Sequence, residues 1–216
     1  MTFGRFSPEQ AAAVRPFVQG QRVHDLGAGV SLYLAHYLVG LGADEVVAVD
    51  RSPTPWRGGG YGPKRHRWHA LYGQETPDGN QTADFRKVRY VQAYFSEFRE
   101  RVTTAFVSWP SNYPDDQDAG LVRLVSNAQM VVYLGTNTDG TACGSPDLFS
   151  HLCAREALVH VPHRRNTLIV YGQEVGSRKL LPEERAAMDT TRIYSFAELY
   201  PACVDPIWQP AMEPSL

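Results

Sequence analysis

The residues whose types and spacing can do chemistry stand near the start of the chain: Asp25, Gly27, Ala28 and Gly29, then Asp50 with Arg51 behind it. Glycines at 27 and 29 let the backbone turn sharply and approach a ligand closely. An acid about 20 residues further on, at the tip of an adjacent strand, can accept protons from both hydroxyls of a ribose. A ribose-bearing ligand is therefore implied. A dinucleotide fingerprint needs a third glycine, and Leu32 stands in its place. Asp25 would repel a phosphate close to the turn and suits a cationic group instead.

These residues need a strand, a tight turn, a helix and a second strand to bring them together. Arg22–Leu26 reads as the first strand, and the apolar spacing of Leu32, Leu34, Ala35, Leu38 and Val39 as the helix. Gly40 and Gly42 supply its stop, and Glu45–Asp50 (EVVAVD) is β-branched and apolar enough for a buried parallel strand. Ahead of this βαβ unit, Ser7, Pro8 and Gln10 form a capping box that predicts a short helix ending near Pro16. Further strands are expected at 88–94, 103–108, 129–134, 157–161 and 167–171, with helical stretches at 96–101, 116–125 and 145–154. Strands alternating with helices predict an α/β domain with a mostly parallel sheet. The PHRRN segment between the last two strands is too short for a parallel crossover, so they should form an antiparallel hairpin. A helix is expected near Pro182–Met188, and Ser195 with Glu198 suggests another capped turn. Pro206, Pro210 and Pro214 argue against regular structure beyond, with Ile207 and Trp208 packing back on the core.

The run DLGAGVS from Asp25 to Ser31, followed by Asp50, resembles the class I methyltransferases, whose first motif is (D/E)-x-G-x-G-x-G and whose second strand ends in an acid. Ser31 replaces the last glycine. The resemblance covers about residues 23–171 and implies a three-layer Rossmann-like fold, with a mostly parallel seven-stranded sheet ending in an antiparallel hairpin. It implies S-adenosylmethionine as cofactor, with its amino terminus as the cationic group facing Asp25. Asp25, Gly27 and Gly29 would line the methionine and ribose side, Asp50 the ribose, with Ala28 and Arg51 beside them. A D-x-G-x-G turn also fits an NAD, FAD or nucleoside-phosphate site. Many members carry an acid at the tip of the third strand, but Gln92, Ala93 and Tyr94 stand here. Gln92 could hydrogen-bond adenine and Tyr94 stack on it; alternating residues of a half-buried strand would look the same.

After the fourth strand, Ser108-Trp109-Pro110-Ser111-Asn112-Tyr113 partly matches the (D/N/S)-P-P-(Y/F/W) motif of amino-directed methyltransferases, with Trp for the first Pro. The resemblance makes Ser108, Trp109 and Tyr113 the catalytic candidates: a polar group accepting protons from an amine, and a ring stacking on a planar substrate. A strand running into a proline turn has the same appearance without chemistry. Methyl transfer needs mainly in-line placement of a nucleophile, so the lack of an obvious base is no obstacle. No Pro-Cys dipeptide supports a cysteine-nucleophile route.

The connection at 51–87 is long for an α/β unit. Arg57, Lys64, Arg65 and Arg67 alternate with Trp56, Tyr61 and Trp68, which suits an anionic planar substrate as a lid or a nucleic-acid contact; a solvated loop with a helix near His66 to Tyr72 fits equally. His66 and His69, and His160 and His163, lack the Cys or acid that would complete a metal site, so no metal is expected.

The 216 residues, 43% apolar and 20% charged, suit one globular domain spanning 1–216 with the loop at 51–87 and an extended tail at 174–216. A net charge of -2 gives no global attraction to nucleic acid or anionic membrane. Cys143, Cys153 and Cys203 fit neither a disulfide framework nor a metal clip. No signal peptide or membrane span is visible, so a cytoplasmic protein is expected. The acceptor expected is a small planar or amine-bearing molecule. The alternatives are N-methylation of a nucleic-acid base, or a catalytically silent adenosylmethionine-binding protein. Oligomeric state is not legible.

Overall fold

The computed structural model describes residues 6–28, 32–51, 85–110, 116–135, 143–163, 166–176 and 178–188. The chain opens with α1 (Pro8–Val18), capped as its sequence requires: Ser7 Oγ accepts from Gln10 N at 3.1 Å, and Gln10 Oε1 accepts from Ser7 N at 3.0 Å. The helix does not end near Pro16 but continues through it to Val18. A proline in the last turn forfeits a single ladder bond, and the burial of Val14 and Val18 holds the turn together.

There follow β1 (Arg22–Leu26), α2 (Tyr33–Gly40), β2 (Glu45–Asp50), a short 3-10 turn at Phe85–Lys87, and β3 (Val88–Gln92). Then come β4 (Thr104–Ser108), α3 (Asp116–Asn127), β5 (Met130–Gly135), α4 (Pro146–Cys153), β6 (Arg155–Pro162), β7 (Thr167–Glu174) and α5 (Pro182–Met188). The strands form one seven-stranded sheet in the order β3-β2-β1-β4-β5-β7-β6. β1 to β5 pair in parallel, while β7 runs antiparallel to both β5 and β6. The expected hairpin is present and is closed by His163 N donating to Asn166 O at 2.8 Å.

Strand side chains alternate between two cores, which is why the central strands read as continuous apolar runs. Val23, Val46, Ala48, Phe106, Val132 and Val170 pack with α1 and α2 through Val14, Val18, Ala35 and Leu38. Val47, Val49, Ala105, Val107, Tyr133 and Ile169 pack with α3 and α4 through Leu121, Val125, Phe149 and Leu152. Each of the larger side chains contributes roughly 1.5–3 kcal/mol on leaving water, so helix–sheet–helix layering follows from the pattern.

The helix expected at 96–101 is not formed. Residues 95–97 make a single turn, with Tyr94 O accepting from Glu97 N and Phe98 N. The cause lies in α3: Arg123 Nη2 donates to the carbonyls of Phe95 and Phe98, which a helical ladder would need, and Phe98 and Val102 are drawn into the core. β3 stops at Gln92 rather than 94, because its partner β2 ends at Asp50 and the Ala93 N to Asp50 O bond closes the pairing. β6 begins two residues earlier than expected, at Arg155. That guanidinium is buried and donates to the carbonyls of Val125, Ser126, Ala128 and Gly172, satisfying the end of α3. Most of 51–87, Ser195, Glu198 and the prolines beyond lie outside the described residues.

Candidate functional site

The parallel strands end together. Val91, Val49, Leu26, Val107 and Tyr133 form one row across the sheet through their pairings, so the next positions, Gln92, Asp50, Gly27 and Ser108, share the rim at the carboxyl ends of β3, β2, β1 and β4. Ligands of open α/β sheets bind at this rim, where the connections to the covering helices diverge.

At its centre the chain leaves β1 through Gly27, whose φ of +86° is the left-handed region that glycine enters without a Cβ penalty. Gly27 N and Ala28 N both donate to Val49 O, at 2.9 and 3.3 Å, which folds the turn across the end of β2. Leu32, also left-handed with φ +52°, leads into α2. Beneath this turn lies Asp25. It is fully buried, and neither carboxylate oxygen has a hydrogen-bond partner among the described residues. Its register neighbours are Ala48 on β2 and Phe106 on β4, so its strand surroundings are apolar. Burial first, and then the charge of Asp50, push the Asp25 carboxyl up to about 8.

Asp50 shares the sheet face of Val46 and Ala48, and so of Asp25, by the period of two along β2. Its carbonyl accepts from Ala93 N, and the Tyr90 hydroxyl lies 3.4 Å from the same oxygen. Arg51 is exposed, and its carbonyl accepts from Gln92 Nε2 at 3.4 Å. Tyr94 is 49% exposed. The aromatic ring nearest the glycine turn is instead that of Phe95, 3.8 Å from where a Gly27 Cβ would stand. Phe95 was not singled out by the sequence; its position depends on the turn that replaced the expected helix.

At the end of β4, Ser108 is half-buried and Trp109 takes a left-handed φ of +52°, unusual for an aromatic residue. Trp109 N donates to Leu134 O at 2.9 Å, and the side chain packs against the core shared by α3 and α4. The rim thus assembles Asp25, Gly27, Ala28, Asp50, Arg51, Gln92 and Ser108; Gly29, Ser31 and Tyr113 lie outside the described residues. Among the described residues no three His, Cys, Asp or Glu side chains gather to hold a metal ion. His160 Nε2 instead meets Glu183 Oε1 at 3.1 Å. Among the described residues no helix is long and apolar enough to cross a membrane.

No family model matches the sequence, and no curated protein matches it. Solved structures do. A ribosomal protein L11 methylase from Lactobacillus delbrueckii subsp. bulgaricus is 15% identical, with a TM-score of 0.47 over 80% of this chain and 82% of that one. Magnesium protoporphyrin IX methyltransferase from Synechocystis PCC 6803, solved with bound S-adenosylmethionine, is 14% identical, with a TM-score of 0.46 over 77% and 79%. A protein of the NADB-Rossmann superfamily from Streptococcus agalactiae is 15% identical, with a TM-score of 0.46 over 84% and 73%. The sheet, mostly parallel with its antiparallel hairpin and helices on both faces, is a three-layer Rossmann-like arrangement. The seven-stranded, mostly parallel sheet with a closing antiparallel hairpin that the first motif's resemblance implied is the one observed.

Proposed function

We propose that this chain binds S-adenosylmethionine at the rim between β1 and β2 and catalyses methyl transfer to a small planar or amine-bearing acceptor. The observation that carries the reading is Asp25: a fully buried carboxylate with both oxygens unpartnered, directly under a glycine turn. Stranding a polar group in this way costs about 1–3 kcal/mol or more for a charge. A cationic ligand group would offset that cost by drawing out the carboxylate, whereas a phosphate brings no such compensation.

The residues present fit this cofactor. Asp25 would take the amino group, Gly27, Ala28 and Gly29 the close approach of the methionine and ribose, and Asp50 the ribose hydroxyls, with Arg51, Gln92 and Tyr94 toward the adenine side. When bound, the cofactor supplies a methyl group already activated on a sulfonium. The protein's task is then alignment and exclusion of water. Ser108, at the adjoining strand end, would accept a proton from an acceptor amine. Trp109, or Tyr113 beyond it, would supply the ring against which a planar acceptor stacks.

Calorimetric titration with S-adenosylmethionine, its demethylated product S-adenosylhomocysteine, and NAD tests the reading. Micromolar affinity for the first two and none for NAD is expected. Preference for NAD, or no binding, sinks it.

A further inference from the structure

We propose that Asp25 is a proton-exchanging selector: an amine-bearing adenosine ligand is admitted only as the Asp25 carboxyl gives up its proton to solvent, whereas an adenosine ligand without the amine binds with no proton exchange. The inference rests on the cofactor reading above and adds to it how the site tells its ligand from other nucleosides.

The geometry is that of a carboxyl shut away from water with nothing to hold its charge. Asp25 is 0% exposed and unpartnered at both oxygens. On β2 it faces Ala48, and Asp50 stands at that strand's end; on β4 it faces Phe106. Tyr90, on β3, places its hydroxyl near the Asp50 carbonyl. Among the described side chains, the helices over this face bring buried titratable groups only as His36 and Tyr37 of α2, since the buried side chains of α1 are Gln10, Ala11, Val14 and Val18. Burial and the like charge of Asp50 both favour the neutral acid. Below about pH 8 the unliganded protein therefore keeps a proton on Asp25.

Entry of a ligand ammonium changes the balance. The Asp25 O–H bond breaks, the proton leaves to buffer, and the carboxylate accepts hydrogen bonds from the ammonium; charge is conserved with one proton released per ligand bound. A ligand lacking the ammonium leaves the carboxyl neutral and the proton in place. Affinity for the amine-bearing ligand should then rise about tenfold per pH unit below pH ~7, the slope set by the single proton released.

The experiment titrates the full chain at about pH 6.5, below the ordinary range of an amino group near ~8. Two ligands are used, S-adenosylhomocysteine and 5′-methylthioadenosine, which carries the nucleoside without the amino acid. Each is measured in two buffers of different ionisation enthalpy. About one proton released with the first ligand and none with the second supports the proposal. Equal heats in both buffers for S-adenosylhomocysteine overturn it while leaving the cofactor reading intact, and so does equal proton release by both ligands. Failure of both ligands to bind overturns the cofactor reading and this inference with it. In Asp25→Asn the pH dependence of S-adenosylhomocysteine affinity should flatten; an unchanged slope assigns the proton elsewhere and overturns the proposal.

Discussion

Asp50 and Asp25 lie on the same sheet face and have opposite demands on water. Asp50, half-buried at the rim, is the residue proposed to accept from ribose hydroxyls, and each hydrogen bond to a charged acceptor is worth about 1.5–3 kcal/mol. Asp50→Ala should therefore weaken binding of S-adenosylhomocysteine about 10- to 100-fold by calorimetry; unchanged affinity would remove Asp50 from the ribose. Asp25 acts on stability as well. Its folded value of about 8 lies above the unfolded 3.8, so the native state holds a proton that the unfolded chain releases across that interval. The stabilisation this confers is complete below the unfolded value and is lost as pH rises through about 8. Asp25→Asn keeps the neutral form at all pH. It should match the unliganded wild type near pH ~4 and exceed it by a few kcal/mol near pH ~8, as read from urea denaturation at the two pH values. Parallel pH profiles would show that Asp25 is ionised in the free protein. The types and spacing of Asp25, Gly27 and Asp50 marked this end of β1 and β2 directly, because strand, turn and helix are fixed by neighbours in sequence. The isolation of the Asp25 carboxylate was not legible, since it depends on Ala48 and Phe106 from two other strands.

Among the elements, α3 sets the shape of the rim from a distance. Gly120 lets it lie against the backbone of Phe95 and Ser96: an added Cβ would stand 2.5 Å from Ser96 N and 2.8 Å from Phe95 C. Helix propensity alone favours alanine there by about 1 kcal/mol, but backbone at such a distance cannot yield without moving α3. Gly120→Ala should destabilise the fold by about 1–3 kcal/mol and, by displacing Phe95 from Gly27, weaken cofactor binding. A stabilised variant in thermal unfolding would show that the propensity term wins. The same contact explains which elements the sequence disclosed. Helices and strands with a period of their own, such as α2, β2 and α5, are visible in their residues, whereas the 96–101 segment has helical composition and loses the helix to Arg123, a residue about 25 positions away that takes its carbonyls. The start of β6 was hidden for a related reason, since Arg155 looks like a surface residue until the carbonyls ending α3 surround it.

Across the whole molecule, the two ends of the sheet are built differently. At the amino ends of the strands Arg22 and Arg89 each pair with both Glu45 and Glu100 in an exposed network with contacts of 2.6–3.3 Å. Such pairs hold little energy because water and salt compete for them. Glu100→Ala should cost no more than about 1 kcal/mol in denaturant unfolding and leave ligand affinity unchanged; a larger loss of either would give this end a role beyond solvation. At the opposite rim the buried Asp25 carboxylate and the Thr167 hydroxyl, beside Gly135, have no hydrogen-bond partner. The exposed charges at the amino ends are thus paired with one another, whereas the Asp25 carboxyl at the rim has no partner among the described residues.

The side chain of Gln10 completes its cap and also reaches across the molecule, donating to Val161 O at 3.1 Å and Asn166 Oδ1 at 2.9 Å, residues 151 and 156 positions further on. During synthesis α1 leaves the ribosome long before the hairpin that receives it exists. The contacts that tie α1 to the hairpin can therefore form only after Val161 and Asn166 have been made, whereas its packing on α2 and β1 can form earlier.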